Sequence, residues 1–318
     1  MRPRIKLAFV DFWKNFNPAD NYFTRLLSRR FEIELSDQPE FVIFSCFGQR
    51  HRDFRCKRIF YSGENWRPDF WHCDYAFTFD HLDDPRHYRL PVYGLFDEPG
   101  RLIKQSFNSE QVLAQKTRFC NFVYSNPLGR ERNKFFRMLS KYKPVDSGGR
   151  LFNSIGGPVR DKLAFVRQSK FTIAFENESY PGYTTEKLSE PMLADSLPIY
   201  WGNPLVHRDF NTRSFMNVHK FPSFEAAIDR IIEIDRNDEL YLEYLRQPWF
   251  VDNQMNQFVD PEKVLAQFEK IFADKNSPVA QQQPVARMFF IDRLHGIQHS
   301  MLRRMKRSTR RIAHRLGR

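Results

Sequence analysis

Residues 175–204, FENESYPGYTTEKLSEPMLADSLPIYWGNP, set Glu186 and Lys187 side by side, after a tyrosine-bearing turn and before a helical run that leads into a short apolar strand. The N-terminus of a helix carries unpaired N–H groups and a partial positive charge, which together attract anions. Lys187 on the first turn adds a full charge. Glu186 can accept from the hydroxyls of a ribose or a sugar ring, and Tyr183 can donate or stack. A nucleotide sugar fits all three. Arg132, on a helical run after the strand-like FCNFVY, holds the corresponding position of the preceding strand–helix unit, with Ser125 and Asn126 at the end of that strand. Ligands of open α/β sheets bind beyond the carboxyl ends of the strands, where such loops converge. Taken singly, Arg132 and Lys187 also read as surface charges, Glu186 as a favourable anion on a first helical turn, and Tyr183 as a packing aromatic.

Several other chemistries are absent from the sequence. There is no GxGxxG after a strand, no GxxxxGK[ST], no GxSxG elbow and no HExxH. Asp-x-Asp is missing as well, and a pair of carboxylates is a usual way to hold a divalent ion against a sugar-nucleotide diphosphate. A diphosphate substrate would have to be neutralised by side chains and backbone, with no metal.

The elements that must position these residues follow from short apolar runs. IKLAFVDF (5–12), FEIEL (31–35), FVIFS (41–45), RIFYS (58–62) and YAFTF (75–79) read as strands, and NYFTRLLSRR (21–30) has helical spacing. A second cycle starts at RFCNFVYSN (118–126) and runs through a helix at 131–142, turn-rich SGGRLFNSIGGP (147–158), FTIAFE (171–176), LPIYWG (197–202) and FMNV (215–218). Residues 223–246 and 260–273 look helical, the last packing back on the first half. Two α/β halves in tandem, each a parallel sheet covered by helices, account for the pattern.

The 318 residues suffice for two domains, and 41% hydrophobic content with 33 Phe supplies their cores. The net charge of +12 is concentrated at the end: residues 287–318 hold ten Lys/Arg and one Asp, leaving +3 for the preceding 286. That tail, with Leu294, Ile297, Met301, Met305, Ile312 and Leu316 among its cations, reads as a basic amphipathic helix for an anionic membrane surface. NSPVAQQQPV before it has linker composition. A solvated tail is the plainer reading, and nucleic-acid binding is not expected from a nearly neutral body. Cys46, Cys56, Cys73 and Cys120 lack zinc-ligand spacing and read as reduced thiols of a cytoplasmic protein. The opening MRPRIKLAFVDFW reads as a first strand rather than a signal peptide, and no apolar run approaches the length that spans a bilayer.

The 175–204 stretch resembles the signature region of the α-1,3-fucosyltransferases of glycosyltransferase family ten, of the bacterial Helicobacter type, with F-E-N, a Tyr two positions before T-E-K, and P-I-Y-W-G. FVYSNP with RNKFF, and YSGENWRPDFWHCDYAFTFD, resemble further segments of that family in the same order. The resemblance implies a GT-B architecture: two Rossmann-like domains, acceptor-binding at 1–117 and donor-binding at 118–276, followed by a linker and basic tail at 277–318. It assigns Arg132, Tyr183, Glu186 and Lys187 to GDP-fucose, with Ser125, Asn126 and Asn177 in the same pocket and no metal or other cofactor required. Glu64, of Gly63-Glu64-Asn65, becomes the general base for inverting transfer of L-fucose to a GlcNAc or Glc hydroxyl of a glycan such as N-acetyllactosamine. Pro191, four residues after Lys187, is expected to delay or kink the helix that carries the lysine. The alternatives are a GT-B enzyme with another nucleotide sugar, and a basic membrane- or RNA-binding module with a vestigial nucleotide site. The implied location is cytoplasmic, peripheral to the inner membrane.

Overall fold

The structure, a computed structural model, describes residues 2–96 and 99–282. In chain order its strands and α-helices are β1 (Arg4–Val10), α1 (Tyr22–Leu27), β2 (Glu32–Leu35), β3 (Phe41–Phe44), β4 (Lys57–Tyr61), β5 (Tyr75–Thr78), β6 (His87–Arg89), α2 (Tyr93–Phe96), α3 (Ser109–Ala114), β7 (Arg118–Phe122) and α4 (Arg130–Leu139). They continue with β8 (Val145–Ser147), α5 (Lys162–Arg167), β9 (Ser169–Phe175), α6 (Glu186–Leu193), β10 (Leu197–Trp201), β11 (Met216–Asn217), α7 (Phe224–Arg236), α8 (Asp238–Arg246), α9 (Pro261–Ala273) and α10 (Val279–Gln282).

The strands form a six-stranded sheet in the order β2-β1-β3-β4-β5-β6 and a five-stranded sheet in the order β11-β10-β9-β7-β8. β2, β1, β3 and β4 pair in parallel, as do β11, β10, β9, β7 and β8. Helices on both faces of such sheets favour strands buried on both sides, although β1 (RIKLAFV) and β2 (EIEL) still alternate. FVIF of β3 is buried at every position. The two-cycle α/β organisation read from the sequence is therefore present.

Packing divides the chain into two units. One comprises the residues up to Tyr61, Pro68–Ala76 and the described residues from Lys270 on; the other comprises Ser62–Arg67 and Phe77–Glu269. In the first, Leu7, Val42, Ile43 and Ile59 are buried, and Phe272 at the end of α9 returns to Phe31 and Phe41, with ring centroids 5.1 and 4.6 Å apart. In the second, Phe122, Phe135, Phe171, Phe175, Ile199 and Ile231 form a core between sheet and helices.

The structure departs from the sequence reading in several places, the first being β6, α2, α3 and α5, which fall in stretches to which the sequence pattern assigned no element. The run 223–246 is two helices, because Asn237 ends α7 in an extended conformation and its side chain caps α8, accepting from Leu240 N–H. Val145–Ser147 forms β8 on the margin of the turn-rich segment. Residues 279–282, within the stretch of linker composition, make a helical turn: Ala280 is buried, its carbonyl accepts from Arg55 at 3.2 Å, and Val279 N–H donates to Asp74 at 2.6 Å. The basic tail, 287–318, lies outside the described residues. The four cysteines form no disulfide; Cys73 and Cys120 are buried. Among the described residues no helix is long and apolar enough to cross a membrane.

Candidate active site

The site is built on the loop between β9 and α6. Thr185 caps α6, accepting from Lys187 N–H. The helix therefore starts at Glu186, immediately after its cap, and Pro191 neither delays nor displaces it. The effect of Pro191 falls at the other end, where α6 stops two residues later and the Pro191 carbonyl takes the N–H groups of Ala194 (3.1 Å) and Ser196 (2.9 Å).

The turn before the cap is held from below. Gly182 adopts φ +87°, and a Cβ there would lie 2.4 Å from the Phe79 carbonyl, so glycine is required on both counts. Gly182 N–H donates to Asn203 Oδ1 at 2.7 Å. Asp209, buried, accepts from Thr184 Oγ1 (3.0 Å), Asn203 Nδ2 (3.1 Å), Tyr93 (3.0 Å) and Arg89 (2.9 Å). Burial works against the Arg89 charge, but Asp209 outweighs it and holds the guanidinium above its ordinary value. Satisfied networks of this type rigidify the backbone above them.

The two cations meet around Tyr124 and Glu176. Lys187 Nζ donates to Thr185 Oγ1 at 3.0 Å and stands 3.3 Å from Glu186 and 3.4 Å from Glu176. Burial disfavours the ammonium, yet the carboxylates of Glu176 and Glu186 win and hold Lys187 well above the ordinary lysine value. Glu186 is similarly opposed by burial, and Lys187 and Lys162 keep its carboxyl low.

Arg132 is fully buried rather than the surface charge that its place on the helix suggests. Its guanidinium lies 4.0 Å from the centre of the Tyr124 ring. Nη1 donates to Asn177 Oδ1 at 3.0 Å and Nη2 to the Asn126 carbonyl at 2.6 Å, which leaves one N–H on each terminal nitrogen. Burial lowers its affinity for the proton, against the pull of Glu176. Arg132, Asn177 and Asn126 are thus brought together. Ser125, exposed beside them, accepts instead from Arg150 N–H at 3.4 Å.

Tyr183 is buried against Phe79, with ring centroids 4.9 Å apart. Burial, and then the charges of Glu176, Glu64 and Glu186, push its hydroxyl well above the ordinary value against the pull of Lys187. Glu64 is exposed on a tight turn, where the Ser62 hydroxyl accepts from Glu64 N–H and donates to its carbonyl, each at 3.1 Å. The turn is fastened to the signature loop from the far side. Asn65 donates to Glu178 at 2.6 Å, while Arg67 pairs with Asp80 and Asn65 and lies 3.9 Å from the Tyr180 ring centre. Among the described residues no cluster of three or more His, Cys, Asp or Glu is arranged to hold a metal ion.

Comparison with known proteins shows what this constellation belongs to. Residues 7–96 match the α-(1,3)-fucosyltransferase FucT N-terminal domain, and residues 113–276 match the C-terminal part of glycosyltransferase family 10 (fucosyltransferase). The α-(1,3)-fucosyltransferase FucT of Helicobacter pylori is 31% identical, over 89% of this chain and 68% of its own length. The chain belongs to the glycosyltransferase family 10 fucosyltransferases. A crystal structure of an α1,3-fucosyltransferase with GDP-fucose is similar to this family 10 chain with a TM-score of 0.75 and 30% identity, over 87% of this chain and 92% of that one. The fold alone reaches further, to a Rickettsia africae glycosyltransferase with 10% identity and a TM-score of 0.51, over 86% of this chain and all of that one. The chain is a glycosyltransferase of GT-B type with two parallel α/β sheets.

Within this family 10 chain, sequence reasoning passed over Glu176, Thr185 and Asp209. Glu176 stands in the same F-E-N as Asn177, and what marks it is the strand register. β9 and β10 pair in parallel with Phe175 opposite Trp201, which sets Gly202 beside Glu176 one residue beyond. A Cβ on Gly202 would come 2.3 Å from Glu176 Cγ. A glycine that ends a buried strand beside a carboxylate marks space reserved for that carboxylate.

Proposed function

We propose that the protein transfers L-fucose from GDP-fucose to the 3-hydroxyl of a GlcNAc or Glc unit in an acceptor glycan such as N-acetyllactosamine, with inversion and without a metal ion. The observation that carries this reading is the placement of Lys187 at the tip of α6, 3.4 Å from Glu176, with Arg132 of α4 over the ring of Tyr124, which lines the same cavity as Lys187. Two cations and a helix N-terminus are what a departing nucleoside diphosphate requires when no divalent ion neutralises it. The solved α1,3-fucosyltransferase that resembles this chain contains GDP-fucose, which supports the same donor here.

In the proposed reaction Glu64 takes the proton of the acceptor hydroxyl. That oxygen forms its bond to the anomeric carbon of fucose while the bond from carbon to phosphate oxygen breaks, and GDP leaves with the electron pair. Arg132 and Lys187 meet the charge that grows on the diphosphate. Glu186 accepts from donor hydroxyls, and Ser125, Asn126, Asn177 and Tyr183 complete the pocket. Residues 118–276 serve as the donor domain and 1–117 as the acceptor domain. Trp13 and Phe47, 42% and 48% exposed, support the second assignment. They lie on the loops after β1 and β3, between which the strand order reverses, the usual place for a ligand in such a sheet.

The test is to incubate the purified protein with GDP-fucose and N-acetyllactosamine, with and without EDTA, and to read the product mass. Fucosylated product is expected in both. Product with a different nucleotide sugar and none with GDP-fucose would reassign the donor, and activity abolished by EDTA and restored by manganese would overturn the metal-free mechanism. The basic segment 287–318 is proposed to hold the enzyme at the anionic face of the inner membrane from the cytoplasmic side. Its deletion is expected to release the protein from phosphatidylglycerol-containing vesicles while transfer to a soluble acceptor continues; unchanged sedimentation with the vesicles would remove that role.

A further inference from the structure

We propose that Glu176 is the counter-ion that keeps Lys187 charged and aimed, a positioning residue of the donor site rather than a carboxylate that merely shapes the loop. The inference rests on the reading of Lys187 as a donor-site cation. Glu176 is completely buried at the end of β9. Its oxygens accept from Thr185 N–H at 2.8 Å and from Thr185 Oγ1 at 2.8 and 3.0 Å, and Lys187 Nζ stands 3.4 Å from Oε2. Thr185 also caps α6 and accepts from Lys187 Nζ. One threonine therefore links the carboxylate, the helix tip and the ammonium.

A buried carboxylate needs both hydrogen bonds and a positive partner, and Glu176 has each. The other groups facing Lys187 do not replace it. On α6, Glu186 is the second counter-ion but is part-exposed, and Glu190 is engaged by Lys162 from α5. Tyr124 and Tyr183 are held in their neutral forms by burial, and Arg132 of α4 brings a like charge close to Tyr124 and Glu176. If Glu176 loses its charge, burial acts against the ammonium with the part-exposed Glu186 as its remaining counter-ion. Lys187 would remain charged at low pH and lose its proton as pH rises through a lowered midpoint.

Glu176→Gln separates the two roles, because glutamine keeps the shape, accepts from Thr185 N–H and can donate to Thr185 Oγ1. The full chain, carrying lysine labelled with 13C at Cε and no donor, is titrated by NMR, and the Lys187 signal is assigned by its loss in Lys187→Arg. In the parental protein the signal is expected to stay that of an ammonium across the accessible range. Glu176→Gln is expected to bring its midpoint down by about two pH units or more, and Glu176→Asp, which keeps the charge but withdraws it, by less. The KM for GDP-fucose should follow the lowered midpoint, rising about tenfold for each pH unit above it, with kcat less affected. An unchanged Lys187 titration in Glu176→Gln, or in Glu176→Asp should the glutamine variant fail to fold, would overturn the proposal. A parental protein that does not use GDP-fucose would count against the proposed function instead, and the lysine titration would still decide the role of Glu176.

Discussion

Glu64→Gln is expected to bind GDP as the parental protein does and to lose fucosyl transfer by a factor on the order of 10²–10⁴, the usual contribution of a positioned general base. The anchors of its turn lie elsewhere. Ser62 bonds to the Glu64 backbone, Asn65 to Glu178, and Arg67 to Asp80 and the face of Tyr180, so an amide at position 64 leaves each of them in place. What it removes is a proton acceptor on a stiff, exposed turn. Calorimetric titration with GDP and the initial rate of transfer read the two properties separately. A glutamine variant that transfers at the parental rate would place the base at another residue, and one that no longer binds GDP would make Glu64 part of the donor pocket.

Parts of this site were legible from residue order and parts were not, for physical reasons. The strands that carry it, FTIAFE and LPIYWG, are runs of β-branched and aromatic residues bounded by turn formers, and both appear where the pattern puts them. Thr185, followed by Glu186 and Lys187, is a legible helix start, and α6 begins there despite Pro191. The burial of Arg132 was not legible. A cation on the first turn of a helix reads as solvated, and its burial depends on Tyr124, Asn126 and Asn177, which come from segments up to 45 residues away. The same holds for Asn65 and Arg67, whose partners Glu178 and Tyr180 lie more than a hundred residues on in the chain. Local periodicity carries no information about such pairs. Glu176 was hidden differently: a glutamate closing an apolar strand looks like its solvent-exposed end, and only the strand register sets Gly202 beside it.

Lys187→Ala is expected to weaken donor binding and to lower kcat/KM for GDP-fucose by about 10²–10³, the scale on which losing one preorganised charge from a dry site acts. The same change should destabilise the fold, because it strands Glu176, and in part Glu186, without their cation; removing one member of a buried pair costs about 3–5 kcal/mol. The two effects are separable by a double-mutant cycle. Adding Glu176→Gln to Lys187→Ala takes away the uncompensated carboxylate, so the thermal midpoint should recover much of what the single change lost. Activity should not recover, since the diphosphate still lacks its ammonium. Recovery of both together would mean that Lys187 acts only by holding the loop, and recovery of neither would mean that the two residues do not interact, contrary to their separation of 3.4 Å. The cycle therefore asks whether this pair was kept for stability or for charge, and a site that neutralises a leaving diphosphate without a divalent ion needs the charge.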